Sequence, residues 1–93
     1  MHVKLMSEYE CCFPNWIDSE EMGSWSIEDV ALRRRTERWN DLFLDNFADT
    51  GWRDDAVRQR YAEEGRRLRA ALERHFGDTA DVTYDDWPCR ERA

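Results

Sequence analysis

The chain opens on an alternation of period two. Val3, Leu5 and Tyr9 are apolar, while Lys4, Glu8 and Glu10 are charged, which predicts a strand with one buried face, slightly interrupted at Met6. Pro14 falls in a predicted turn over residues 11–15, and Trp16 with Ile17 predicts a short second strand. Residues 18–21 make a polar tip, after which residues 22–25 return as a third strand, giving a hairpin with a strongly acidic solvent edge.

Helical spacing then takes over. Ser26 and Asp29 are spaced like a capping box, so a helical turn is predicted from Ile27, with Ile27, Val30 and Ala31 facing the core. Residues 33–38 carry no apolar side chain, which places the first full helix over residues 34–48 with Trp39, Leu42, Phe43 and Phe47 on its apolar side. Gly51 marks a turn or left-handed cap in a short link, so the next helix runs antiparallel. That helix, residues 54–76, has the clearest pattern: Val57, Tyr61, Leu68, Leu72 and Phe76 recur along one stripe, acids open it and Arg74 stands near its end, as the helix dipole favours. Gly65 sits on the same stripe at a cost of about 1 kcal/mol relative to alanine, which predicts a second backbone packed close to it. Gly77 ends the helix, and Val82 and Tyr84 share one face of a final strand over residues 81–84 that pairs with the first. The expectation is a two-layer α+β domain over residues 1–84 in β-β-β-α-α-β order. Its antiparallel sheet of three or four short strands packs on two antiparallel helices, and residues 85–93 form a loosely held tail.

Length and charge narrow the function classes. Ninety-three residues suit one small domain. A charged content of 38% and a net charge of -7 disfavour binding to nucleic acid phosphates and to anionic lipid surfaces. Lys4 is the sole lysine among 14 basic residues, a bias that GC-rich coding produces and that points to an actinobacterium or its phage. No apolar run is long enough to span a membrane, and no basic, apolar leader opens the chain, so a cytoplasmic protein is expected. An odd count of 3 cysteines suits reduced thiols better than a disulfide framework.

The candidate chemistry is sparse. Cys11, Cys12, Cys89, His2 and His75 show no zinc-binding spacing, so no metal or cofactor is expected; buried thiols are the simpler reading. His75 reads as a helix-end residue favoured by the dipole, the paired acids as solvation, and no catalytic residue emerges. The arginines at 33–35, 38, 66, 67 and 69 lie at helical spacing from Glu37, Glu63, Glu64 and Glu73, which predicts a salt-bridged face rather than an RNA-binding patch. The 5 tryptophans stand out, because one small core rarely hides so many with every indole donor paired. Trp39 reads as core. Trp16 and Trp52 either plug the ends of a thin core or meet a partner, and Trp87, next to Pro88, reads as a contact residue or part of a disordered tail.

Val3, Lys4, Tyr9, Cys11, then Pro14 and Trp16, then Gly23, Glu28, Asp29 and Val30, resemble a family of small actinobacterial proteins with no assigned activity. The resemblance continues through Glu64, Gly65, Arg66 and Leu68 and covers about residues 3–84. It departs at Cys12, at Ile27 in place of proline, and at the arginine run 33–35. It implies the fold more than the function. Small size, acidity and surplus tryptophan lead to a non-catalytic protein that binds another protein, of the inhibitor, immunity or anti-defence kind. Its partner-binding residues are expected to be Trp16, Asp18, Glu20, Glu21 and Trp52. An acidic nucleic-acid mimic and a small metal-binding or redox protein are the alternatives, and a homodimer through the sheet face bearing Met6 is a further arrangement open to this chain.

Overall fold

The computed structural model describes residues 1–9, 13–18, 20–21 and 27–90. Strand β1 (His2–Leu5) turns Val3 and Leu5 inward, both fully buried, as its alternation predicts. It pairs antiparallel with β2 (Asn15–Ile17), which pairs antiparallel with β3 (Glu20–Glu21). Asp18 makes the β2–β3 turn with φ +49, a left-handed conformation that an aspartate tolerates better than most residues. Its backbone N–H donates to the His2 carbonyl at 2.9 Å and its carboxylate accepts the His2 N–H at 3.1 Å, which fastens the turn to β1. The third strand therefore starts at Glu20; residues 22–25, where it was expected, lie outside the described residues.

Helix α1 (Val30–Asn46) begins earlier than its apolar pattern indicates. Asp29 is its N-cap, the carboxylate accepting the Leu32 N–H at 3.0 Å, and Ile27 lies before the helix, fully buried. Val30 and Ala31 face solvent, contrary to the expectation from the Ser26 cap, because a start at Asp29 turns the core-facing side to Leu32, Thr36, Trp39, Asn40 and Phe43. Thr36 fills the apolar gap in residues 33–38: it is fully buried, and its hydroxyl donates to the Leu32 carbonyl one turn back.

The link between the helices is itself a small hairpin, β4 (Phe47–Ala48) and β5 (Gly51–Trp52), which the sequence did not announce. Gly51 has φ +95, where a side chain would be strained, so it serves as the turn residue. Helix α2 (Asp55–Phe76) follows, capped by Asp54 and ended by Gly77 at φ +56. The helices run antiparallel: Arg35 pairs with Glu64, and one turn further along α1 the Trp39 indole donates to the Tyr61 carbonyl, one turn earlier on α2.

After a single 3₁₀ turn (Gly77–Thr79), β6 (Asp81–Tyr84) joins β1 in parallel, with Val3 opposite Val82 and Leu5 opposite Tyr84. The sheet order is β3-β2-β1-β6, so the sheet is mixed rather than wholly antiparallel. Hairpins force the antiparallel pairs, whereas the long crossover through both helices leaves β6 free to enter beside β1 in the same direction. The result is an α+β fold with a small sheet against two helices, its core built from Val3, Leu5, Trp39, Phe43, Tyr61 and Leu68 with their neighbours. Residues 85–90 are not a loose appendage. Asp85 N–H donates to Leu5, a second 3₁₀ turn (Trp87–Cys89) follows, and Trp87 packs on the core.

Candidate functional site: the outer sheet face and its acidic edge

The pleat that buries Val3 and Leu5 sends Lys4 to the opposite face of the sheet, where its register partners are Trp16 on β2 and Thr83 on β6. Among the described residues no helix covers this face, since α1 and α2 pack on the side of Val3, Leu5 and Val82. Trp16 is half-buried, its indole N–H donating to the Met6 carbonyl at 3.0 Å, which anchors the ring at that end. On the other side of β1 from it, the His2 ring and the Thr83 hydroxyl are hydrogen-bonded at 2.9 Å. The β3 edge adds acid: Glu21 is in register with Trp16, Glu20 with Ile17, and Asp18 holds the turn between them. The β2–β3 hairpin thus gathers Trp16, Asp18, Glu20 and Glu21 at one edge of the sheet.

Trp52 does not join them. It lies in β5 on the helix side, its ring 5.3 Å from Phe47 and 5.0 Å from Tyr61, with its indole N–H donating to the Pro88 carbonyl at 2.7 Å. Trp87 completes the same cluster, 5.6 Å from Phe43, and donates to the Ser7 carbonyl at 2.7 Å. Trp39 stacks on Tyr61 with ring centroids 4.5 Å apart. Among the described residues, every tryptophan has its indole donor bonded to a backbone carbonyl, so the core accommodates more of them than its size promised. Trp25 lies outside the described residues. Of the tryptophans described, Trp16 is the one whose ring lies on the uncovered sheet face.

Charge is divided between the layers. Arginines outnumber acids in both helices, so the surplus of negative charge sits in the strands and loops. Two helical arginines pair at the predicted spacing, Arg67 with Glu64 and Arg69 with Glu73 at 3.1 Å, whereas Arg35 reaches Glu64 across the two helices. Such exposed pairs contribute about 0–1 kcal/mol each but cancel the local positive field.

Cys89 is half-buried, its sulfur 4.0 Å from the Arg58 carbonyl, and its thiol is pushed up to about 11, first by burial and then by the Asp86 carboxylate. That is the reverse of an activated nucleophile or metal-binding thiolate. Among the described residues no three His, Cys, Asp or Glu side chains gather as a metal-binding group; Cys11 and Cys12 lie outside them. Burial also raises the Tyr84 hydroxyl well above its ordinary range. Among the described residues no helix is long and apolar enough to cross a membrane.

Sequence reasoning missed Lys4, His2 and Thr83 as companions of Trp16. The alternation of polar residues in both strands was visible, but only the β1–β6 register brings them together. No curated protein matches the chain. A family model described as Serratia CdiI immunity protein-like matches residues 1–87, from β1 past β6 to Trp87 and so through every element of the fold except the end of the last turn. The chain belongs to this Serratia CdiI immunity protein-like family, and is a protein of the immunity or inhibitor type.

Proposed function

We propose that this protein neutralises a toxin by binding it, without catalysis, through the outer sheet face around Trp16 and the acidic edge formed by Asp18, Glu20 and Glu21. The observation that carries the reading is the position of Trp16: an aromatic ring anchored by its indole N–H on a sheet face that no described helix covers, next to an acidic hairpin, in a chain of an immunity family. Rigid aromatic rings at the centre of an interface supply much of the binding energy, and charge around them steers the encounter. The partner surface that fits is apolar at its centre and basic at its rim. Trp52 contributes indirectly in this reading, by holding the helix layer together.

The test is affinity capture from the native host, followed by neutralisation of the captured toxin by wild-type, Trp16→Ala and Trp52→Ala proteins. Trp16→Ala is expected to weaken binding by at least about 30-fold, equivalent to roughly 2 kcal/mol at a hot spot. Trp52→Ala is expected to lower the melting temperature and leave affinity nearly unchanged while folded. Trp16→Ala protein that folds and protects like wild type would overturn the assignment of this face.

A further inference from the structure

The sheet has a second edge, opposite the acidic hairpin. Among the described residues β6 is its terminal strand, paired on one side with β1. Asp81 and Asp85 donate their N–H groups to Met1 and Leu5 on the β1 side, both at 2.9 Å. By the alternation of a strand, the N–H and C=O groups of Val82 and Tyr84 point the other way, to the open edge. Alongside it α2 leaves a groove of about 520 Å³, bounded by Arg69 and Glu73 on the helix, Asp78 in the following turn, and Asp81, Val82 and Thr83 on the strand. A groove between an edge strand and a helix has the shape in which proteins take up an extended segment as an added strand, with backbone hydrogen bonds giving the affinity.

We propose that the free edge of β6, with the groove beside it, receives an extended basic segment of the protein partner as a fifth strand of the sheet. This rests on the reading that the protein acts by binding a protein toxin. Charge selects the occupant. Arg69 is already bonded to Glu73, so Asp78 and Asp81 set the character of the lining, and an incoming strand with lysine or arginine on its exposed face complements them. A second copy of this chain would instead bring the same aspartates against each other, which opposes edge-to-edge pairing. The β3 edge is a poorer receptor because it is only 2 residues long.

The experiment uses ¹⁵N-labelled full-length protein and an amide-capped hexapeptide of alternating lysine and valine, with a glutamate–valine hexapeptide as control. Amide exchange at Val82 and Tyr84 is expected to slow by roughly tenfold at saturating basic peptide, with exchange in β2 and β3 unchanged. The acidic peptide is expected to have no effect. The exposed double substitution Asp78→Lys, Asp81→Lys is expected to weaken binding of the basic peptide by about tenfold while leaving the melting temperature near that of wild type. Unchanged exchange at Val82 and Tyr84, equal binding of both peptides, or protection that appears with protein concentration alone would each overturn the proposal. The peptide reads the β6 edge directly, so its failure leaves toxin capture through Trp16 standing. Failure of toxin capture leaves the peptide result standing in turn.

Discussion

At the scale of single residues, Gly65 shows how a sequence oddity becomes a packing contact. A Cβ at this position would lie 2.5 Å from the Tyr84 ring, so the close neighbour that the sequence predicts is an aromatic side chain and not a backbone. Tyr84 is also held edge-on by Trp39 at 5.9 Å, which limits its freedom to retreat. Gly65→Ala is expected to destabilise by about 1–2 kcal/mol in chemical denaturation, overpacking outweighing the gain in helix propensity. In a Tyr84→Ala background the clash is gone, and the same substitution should stabilise by up to about 1 kcal/mol. Cys89 gives a pH test. Its folded thiol ionises near 11 against an ordinary 9.0, so the folded state favours the neutral form. The resulting stabilisation is fully present below the ordinary value and is lost as pH rises through the folded one. Alkylation of Cys89, followed by peptide mapping to separate it from Cys11 and Cys12, should therefore reach half its maximal rate near pH 11 in native protein and near pH 9.0 in denaturant. Equal profiles would remove the argument that this thiol is structural.

Elements show where local chemistry decides and where it does not. Both helices start on an aspartate whose carboxylate accepts a first-turn N–H: Asp29 from Leu32 at 3.0 Å and Asp54 from Ala56 at 2.8 Å. Asp29→Ala should cost about 1 kcal/mol, measured in urea, with the loss confined to the first turn of α1 in amide exchange. The body of α2 was legible because its stripe keeps one period from Tyr61 to Leu72. The start of α1 was not, because buried Thr36 and Asn40 stand where an apolar pattern wants leucine, and hydrophobic periodicity cannot register polar side chains that enter a core. The β4–β5 hairpin escaped notice for a different reason: strands of 2 residues are too short to show any alternation.

For the whole molecule, the separation of charge matters more than its total. A net charge of -7 is concentrated outside the helices, where the sheet edge and loops meet solvent. Association with a basic partner should accordingly slow by about tenfold or more in association rate between low salt and 0.5 M salt, while the dissociation rate, which the proposed contact through Trp16 would set, changes little. Stopped-flow or surface-binding kinetics with the captured toxin would check this, and a salt-independent association rate would remove charge from the account.

The sequence by itself determined the α+β class, the antiparallel helix pair, the buried faces of β1 and β6 and the core role of Trp39, because each depends on periods and turns within a few residues; it placed a hairpin after β2 but not its register, since the return strand begins at Glu20. Tertiary structure alone decided three things. It made β6 parallel to β1, since a crossover of this length permits either direction. It drew Trp52 and Trp87 into the core by supplying the Pro88 and Ser7 carbonyls as acceptors, 36 and 80 residues away. And it left Trp16 on the uncovered face beside Lys4 and Thr83, because which face of a sheet stays open depends on where the helices pack, and no local pattern carries that information.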